Sequence, residues 1–361
     1  KAADAGSAGR PARRPRRAAS GAVSLRRRAL DRPDLARADR SAPPRARVGT
    51  RATALECRRG GLGEPDLRQR LTHAGVELRF YNRLNWRRWV GNFYRDHRKL
   101  LLVDQRLAVV GGTGVTDEFW TPGHDTSEWH EVMVEISGPL VIDWQLLFDR
   151  QWIANRYRRA WRPAAHFGLP RLPRVPDKGE GMGRVAYADA RQHRDILQSL
   201  FRALNSGQKR IWMATPYFLP TWKIRRSLRK AAARGVDVRL LLTGPRTDHP
   251  SVRYAGHRYY PRLLRAGVKI FEYQPCFLHL KMVLIDDWVS IGSCNFDHWN
   301  LRFNLEANLE ALDPGLTRAV AASFENDFAL SQEVSLEAWK RRPLWRRVKQ
   351  RVWGWVDRVV V

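Results

Sequence analysis

The stretches HRKLLLVDQRLAVVGGT (97–113) and HLKMVLIDDWVSIGSCN (279–295) are two copies of one pattern. Each copy begins with a histidine and a lysine two positions later, passes through an apolar run to an aspartate, and ends in a turn of small residues. Side chains at positions i and i+2 of a strand point to the same face, so each histidine projects beside its lysine. We interpret the duplicated pattern as two halves of one functional site.

The duplication extends beyond these stretches. RQRLTHAGVELRFYN (68–82) resembles YPRLLRAGVKIFEYQ (260–274), with Gly75 matching Gly267. The first copy has ten more residues between glycine and histidine, and they fall in the Trp- and Arg-rich stretch RLNWRRWVGNFYRD. A repeat of this length predicts two related halves of one fold.

The second half shows strands alternating with helices. A strand near Val185, a helix over about 191–204, a strand over 210–215, a helix closed by Gly235 and a strand over 236–242 follow one another. This order predicts an α/β fold in which each half is a largely buried mixed sheet flanked by helices. The first-half counterparts of residues 210–242 should lie at about 18–55, where the sequence is Arg-, Ala- and Pro-rich without a period.

We therefore divide the chain into segments 1–60, 61–175, 176–335 and 336–361. Segment 1–60 has 17 lysine or arginine residues, five acidic residues and no aromatic residue, which predicts a disordered or atypical segment. A nucleic-acid-binding arm is the alternative. Segment 336–361 predicts a basic, Trp-rich amphipathic helix at an anionic interface, and packing of that helix on the chain's own core is the alternative.

The charge is strongly unbalanced. The chain has 65 Lys and Arg residues against 36 Asp and Glu, a net charge of +29, which favours binding to nucleic acid or to an anionic membrane. Its three cysteines lack the spacing of metal ligands. No apolar run reaches the roughly 18 residues that a spanning helix needs, so we expect any membrane association to be peripheral.

The small-residue turns are candidate phosphate sites. Glycine lets backbone N–H groups approach an anion closely, and polar side chains add further donors. We assign phosphate binding to Gly112 and Thr113 in the first copy and to Ser293 and Asn295 in the second.

The paired motifs resemble those of the phospholipase D superfamily, and the flanking stretches are similar to bacterial cardiolipin synthases. These stretches are ATPYFLP (214–220), LLLTGPRTDH (240–249), RLLRAGVKIFEY (262–273) and GSCNFDHWNLRFNLEANLEAL (292–312), with EWHEVMVEISGPLVIDWQLLFDRQW (128–152) in the first half. The resemblance spans about residues 62–330. It implies a fold in which the two motifs meet across a pseudo-twofold axis.

The resemblance also implies roles for the motif residues. His97 is the nucleophile that forms a phosphohistidine and His279 is the acid and base, while Lys99 and Lys281 stabilise the phosphate charge without a metal or cofactor. Asp104 and Asp286 complete the catalytic motif, and we expect them to hold local structure. Where the family has Asn in the first turn, this chain has Gly114.

A carboxylate on the second ring nitrogen usually orients a catalytic histidine. Glu306 follows His279 by 27 residues, and Glu131 follows His97 by 34. We expect Glu306 to orient His279 and Glu131 to orient His97.

The implied activity is that of a phosphatidyltransferase of the cardiolipin synthase type. It moves a phosphatidyl group to phosphatidylglycerol, an anionic phospholipid substrate, at the cytoplasmic face of the bacterial inner membrane. One alternative is a phospholipase D, phosphodiesterase or nuclease that uses water as acceptor. The other is an inactive basic protein that binds membranes. The sequence contexts favour lipid over nucleic acid, and the oligomeric state stays open.

Overall fold

The computed structural model describes residues 19–20, 23–26, 65–79, 81–82, 86–114, 117–119, 128–156, 181–189, 194–297 and 300–343. Of segment 1–60, only two short strands are described, so the expected disorder of that segment stays a prediction. The boundary at 175 lies outside the described residues. So does the basic, Trp-rich stretch from residue 344 onward.

Fourteen strands form the two sheets of the described chain. They are β1 (Ala19–Ser20), β2 (Val23–Arg26), β3 (Arg95–Asp96), β4 (Lys99–Val103), β5 (Leu107–Gly111), β6 (Met133–Ser137), β7 (Met182–Ala188), β8 (Arg210–Thr215), β9 (Asp237–Thr243), β10 (Lys269–Tyr273), β11 (Met282–Ile285), β12 (Trp288–Gly292), β13 (Asn304–Leu312) and β14 (Ser331–Glu333).

Helices flank these sheets. They are α1 (Pro65–His73), α2 (Leu140–Arg156), α3 (Asp195–Ser206), α4 (Trp222–Ala233), α5 (Pro250–Gly256), α6 (Tyr260–Leu264), α7 (Asn300–Phe303), α8 (Pro314–Ala329) and α9 (Leu336–Lys340), with a 3-10 segment at Trp86–Phe93.

The two sheets repeat the same strand order around the motifs. The first sheet has the order β2-β6-β5-β4, and the second contains β7-β13-β12-β11 followed by β8, β9, β10 and β14. Parallel pairing joins β8 to β9 and β9 to β10, whereas β11, β12 and β13 pair antiparallel. The α/β class predicted from the sequence is confirmed.

The repeat is visible in the backbone conformation. Gly75 and Gly267, matched by sequence, both adopt positive φ, at 81° and 87°. Asp104 and Asp286 share φ values of 51° and 50°, which few residues other than glycine, asparagine and aspartate adopt. The two copies therefore have the same local backbone geometry as well as similar sequences.

The first half differs from the second on one side. In the described sheet β4 is an edge strand, whereas its counterpart β11 pairs with β8. Of the segment in which first-half counterparts of residues 210–242 were expected, the described parts are β1, which pairs with β7 of the second sheet, and β2. Strand β2 pairs with β6, in the place that β7 takes beside β13. It is therefore the counterpart of β7 and not of β8.

Both sheets contribute to one shared apolar cluster, and the second half has a further cluster of its own. Val110 and Val134 of the first sheet lie in the same cluster as Leu280, Met282 and Leu309 of the second half. The run Met282–Ile285 is buried along its whole length, as its uninterrupted apolar sequence predicts for a central strand. The shared core fixes the two motifs relative to each other.

Strand β13 carries alternating polar and apolar residues, yet it is buried as far as Ala311. Its apolar positions enter the shared core, and its polar positions line the other face. Each of those polar residues has a partner: Asn308 donates to Ser290, for example, and Glu310 pairs with Arg184. Burial of a polar face requires such bonds, because an unpaired buried polar group is costly.

Candidate active site

Strand β3 brings His97 against the second half of the chain. Arg95 and Asp96 pair in parallel with the start of β13, and the His97 N–H donates to the Leu305 carbonyl at 3.0 Å. The next residue of β13 is Glu306, whose side chain is fully buried. Its two carboxylate oxygens lie 3.0 and 3.1 Å from Nδ1 of His97. The imidazole is thus held by the opposite half.

A matching arrangement positions His279. Residue His130 pairs with Leu278, and the His279 N–H donates to the His130 carbonyl at 2.9 Å. The residue after His130 is Glu131, and its Oε2 lies 2.8 Å from Nδ1 of His279. The other oxygen of Glu131 accepts from the Val132 N–H at 3.1 Å, which fixes the carboxylate.

The pairing of histidines and glutamates therefore crosses between the halves. The expectation that Glu131 orients His97 and that Glu306 orients His279 is wrong. Glu306 follows residues that pair with the segment just before His97, and Glu131 follows His130, which pairs with the residue just before His279. Each glutamate therefore reaches the histidine of the other half. Both glutamates do contact a motif histidine, as predicted, but each contacts the other one.

Lys281 is completely buried beside His279. Its Nζ donates to Glu131 Oε2 at 3.2 Å and to the His279 carbonyl, and it lies 2.7 Å from Nδ1 of His279. Nδ1 can donate to Glu131 in one tautomer or accept from Lys281 in the other, so these three groups share one proton network.

Burial sets the charges of this network. Desolvation lowers the pKa of Lys281 to about 8, against the opposing attraction of Glu131. Desolvation also raises the pKa of Glu131 in spite of Lys281. The pKa of His279 falls well below its ordinary value because of burial first and then the charges of Lys281 and Lys99. Its imidazole is therefore neutral at pH 7 in the ligand-free site.

Lys99 repeats part of the geometry of Lys281. Its Nζ donates to the His97 carbonyl at 2.9 Å, as Lys281 does to the carbonyl of His279. The spacing of two residues therefore places histidine and lysine together, although the expected strand does not include the histidines: β4 begins at Lys99 and β11 at Met282. Lys99 also acts electrostatically on His279 in the other half. The two motifs form one site.

The motif aspartates lie at the far ends of their strands. Asp286 accepts the backbone N–H groups of Gln208, Lys209 and Arg210 at 2.9, 2.8 and 3.0 Å, and so ties the β11–β12 turn to the start of β8. Asp104 is exposed in the corresponding β4–β5 turn. This placement agrees with a structural role for these two members of the motif.

The small-residue turns are equivalent in space. Gly111 pairs with Lys99, and Gly292 donates to the Lys281 carbonyl, so the next positions match Gly112 to Ser293 and Gly114 to Asn295. A Cβ built on Gly112 would overlap the Glu131 carboxylate. The Ser293 hydroxyl is bonded to the backbone of Ala307 instead. It is therefore occupied within the protein.

Asn295 is the turn residue whose side-chain oxygen lacks a hydrogen-bond partner in the described structure. The residue is buried, and its Oδ1 has no hydrogen-bond partner within the described part of the chain. Its backbone carbonyl accepts from the Thr215 hydroxyl at 2.7 Å, which anchors the turn to the loop after β8. A buried acceptor atom without a partner in the protein is suited to a donor group of a ligand.

Aromatic residues not singled out from the sequence surround His279. The rings of Trp129, Phe119 and Phe277 have centroids 5.2, 5.3 and 5.8 Å from its imidazole. In the sequence, only the aromatic residues in the stretches around Trp129 and Phe277 could have indicated that rings surround His279. His130 was also overlooked, and its Nε2 lies 3.0 Å from Asp327.

The described residues contain neither a metal-binding cluster nor a membrane-spanning helix. Within those ranges, no group of three or more His, Cys, Asp or Glu side chains is arranged to hold a metal ion. In the same ranges, no helix combines the length and apolar character needed to cross a bilayer.

Known proteins are similar to this chain in sequence and in fold. Residues 200–328 match the family described as cardiolipin synthase, phospholipase D-like domain. Cardiolipin synthase A of Pseudomonas putida is 36% identical over 272 residues, which are 74% of this chain and 55% of that protein. Cardiolipin synthase 2 of Bacillus anthracis is 34% identical over 259 residues, 71% of this chain and 49% of that protein. The chain thus spans about half the length of these relatives.

A solved structure supports the fold independently. Phosphatidylserine synthase of Haemophilus influenzae superimposes with a TM-score of 0.61 at 13% identity, covering 85% of this chain and 87% of its own. At that identity the match concerns the fold alone. The family match, the sequence relatives and the two H-x-K-x4-D motifs that meet in one site show that the chain belongs to the phospholipase D superfamily and is related to the cardiolipin synthases.

Proposed function

We propose that the protein transfers a phosphatidyl group from a phospholipid to a hydroxyl of phosphatidylglycerol, with cardiolipin and a small alcohol as products. The observation that carries this proposal is the crossed pair of His–Glu contacts. Two imidazoles, each oriented through Nδ1, leave two Nε2 atoms for one phosphodiester. The cardiolipin synthase relatives support the substrate class.

In the first step Nε2 of His97 attacks phosphorus, and the bond to the leaving alcohol oxygen breaks. Glu306, which accepts from Nδ1–H, stabilises the positive charge that the ring gains when the P–N bond forms. His279 gives a proton to the departing oxygen. In the second step His279 takes the proton of the acceptor hydroxyl, whose oxygen displaces His97 from phosphorus.

The acid role of His279 depends on the substrate charge. In the ligand-free site, burial and the nearby lysine cations keep the pKa of His279 low. A bound phosphodiester brings a negative charge that offsets Lys99 and Lys281, which raises the pKa of His279 and lets it take up a proton. Substrate binding and protonation of the acid are thereby coupled.

Charge on the phosphate oxygens is stabilised by groups already in place. Lys281 and Lys99 flank the histidines, and the Nδ2 group of Asn295 can donate a hydrogen bond to the phosphate from the turn of the second motif. Such pre-oriented groups in a water-poor site lower the barrier without having to reorganise during the reaction. Thr113 and Gly112 contribute backbone N–H groups from the first turn.

Peripheral association with an anionic membrane fits the surface beside His97. Trp86 and Trp89 are 81% and 84% exposed, and Arg87 stacks on the Trp86 ring. Phe93 of the same segment packs on Phe303 and lies four residues before His97. Exposed tryptophan beside arginine is typical of a membrane interface. We assign this association to the cytoplasmic face of the inner membrane.

Three assays on the whole chain test the proposal. Phosphatidylglycerol vesicles should yield cardiolipin and glycerol in equal amounts, and His97→Ala and His279→Ala should each abolish the product. Phosphatidic acid as the main product would show that water is the acceptor. Nicking of plasmid DNA without lipid turnover would overturn the lipid substrate altogether.

A further inference from the structure

A basic groove lies between two helices on the outer side of the second half. Arg226, Arg229 and Lys230 of α4 line one wall, and Arg262 and Arg265 at the end of α6 line the other. Its volume is about 610 Å³, and it is shallow and open to solvent. The five side chains project into one space because residues three and four positions apart share a helix face.

No acidic residue lines the groove. Within the described ranges, none of the five cations forms an ion pair with a carboxylate. Neighbouring charges also repel one another, since the pKa of Arg225 is lowered by burial first and then by Arg258, Arg229 and Arg262. A bound anion would relieve this repulsion, whereas the fold itself does not.

We propose that this groove binds the phosphate headgroup of an anionic phospholipid and docks the second half of the protein on the bilayer. The groove recognises a phosphate group, and a lipid in a membrane carries that phosphate. The role goes beyond the proposed transfer reaction and does not depend on it, because the groove contains none of the motif residues.

The position of Trp222 favours a bilayer as the source of the phosphate. This residue begins α4, is 57% exposed and has the Arg226 guanidinium 5.2 Å from its ring centre. A tryptophan at the end of a cationic helix face suits the apolar and charged layers of a membrane interface. At 1.5 Å of rise per residue, Arg229 lies only about 10 Å further along α4.

The same helix also connects the groove to the active site. Helix α4 begins after Thr221, whose hydroxyl caps it by accepting from the Ile224 N–H. A loop of five residues separates Thr221 from Thr215, which bonds the Asn295 carbonyl in the active site. Helix α4 therefore runs from the end of β8 that carries the active-site turn toward the groove.

The test compares two double variants that each remove two positive charges. Arg229→Gln/Arg262→Gln changes the groove, and Arg106→Gln/Arg318→Gln changes exposed arginines elsewhere. Binding of the full chain is measured by sedimentation with phosphatidylglycerol vesicles and with phosphatidylcholine vesicles. The groove variant should bind phosphatidylglycerol vesicles roughly 20-fold more weakly, from about fivefold per cation near an anionic surface. The control should lose less than threefold.

Further arms identify the source of the phosphate. Glycerol 3-phosphate should compete with vesicles only at millimolar concentration, and thermal unfolding should show both double variants folded. Equal losses of vesicle binding in the two variants would overturn the proposal. A groove variant that no longer binds glycerol 3-phosphate but binds vesicles as wild type does would also overturn it. Loss of binding to a DNA duplex with vesicle binding intact would assign the groove to nucleic acid instead.

Discussion

Glu306 of the second half holds Nδ1 of His97 in the first half through both of its carboxylate oxygens. Glu131 of the first half holds His279 of the second in return. Neither motif can therefore form an oriented catalytic histidine alone. The two halves of the fold depend on each other at the site as well as in the shared core.

The crossed pairing predicts which histidine depends on which glutamate. Glu306→Gln should lower turnover by roughly 10²–10⁴-fold, because the amide no longer stabilises charge on His97. Glu310→Gln is the matched control: it lies on the same face of β13 but pairs with Arg184 and Ser199. Its expected effect is on thermal stability, with turnover per folded molecule within about twofold of wild type.

A phosphodiester with a 4-nitrophenol leaving group separates the two histidines. Such a leaving group departs without a proton, so His279→Ala should release one equivalent of nitrophenol and retain a phosphohistidine at His97. His97→Ala should give no burst. A burst in His97→Ala and none in His279→Ala would reverse the assignment of nucleophile and acid.

The pKa of Lys281 predicts the alkaline limit of activity. Because burial lowers this pKa to about 8, the cation is present below pH 8 and is lost as the pH rises through that value. The kcat/KM of the enzyme reports groups in the free protein, so it should decline first as His279 loses its proton at lower pH and then more steeply above about pH 8 as Lys281 loses its charge. Glu131→Gln removes the anion that favours the cation, so it should move this fall to lower pH. If the alkaline fall of kcat/KM stays at the same pH in Glu131→Gln, that fall belongs to a group other than Lys281.

Asn295 and Ser293 should respond differently to alanine. The Nδ2 group of Asn295 is the proposed donor to the phosphate, and the Oδ1 atom has no partner within the described residues, so Asn295→Ala should lower kcat by about 10²–10³-fold and leave the melting temperature nearly unchanged. The Ser293 hydroxyl bonds the backbone of Ala307, so Ser293→Ala should cost about 1 kcal/mol of stability and little activity. Equal kinetic losses would return Ser293 to the phosphate-binding set.

Gly112 leaves the space that Glu131 occupies. A Cβ at this position would overlap the carboxylate, so Gly112→Ala should displace Glu131 and reduce turnover on the scale of Glu131→Ala. Gly315→Ala in the first turn of α8 is the control, and it should retain activity. A fully active Gly112→Ala enzyme would show that Glu131 can shift without loss of function.

The exposed tryptophans before His97 predict a contribution to membrane binding. Trp86→Ser/Trp89→Ser should weaken binding to anionic vesicles about tenfold or more, because each buried aromatic side chain contributes about 1.5–3 kcal/mol when fully removed from water. Leu330→Ser, at another exposed apolar site, should bind like wild type. Vesicle flotation at constant salt measures both.

Much of the second half could be predicted from its sequence. The strand at 210–215 and the helix before it follow from apolar periodicity, because these elements bury one face against the core. The first half was predicted less well. Strand β2 is short and Arg-flanked, and it is a strand only because β6 offers it hydrogen-bond partners. No local pattern in residues 23–26 indicates this pairing.

The sequence by itself determined the chemistry of this protein: two histidines with lysines two residues away, in a duplicated α/β pattern. Those features are local, since spacing along a strand decides which side chains share a face. Only the tertiary structure decided that His97 pairs with Glu306, 209 residues away, and that His279 pairs with Glu131, 148 residues away. The reason is that β3 lies along β13 and His130 along Leu278, and such contacts between halves leave no mark in the spacing of either half.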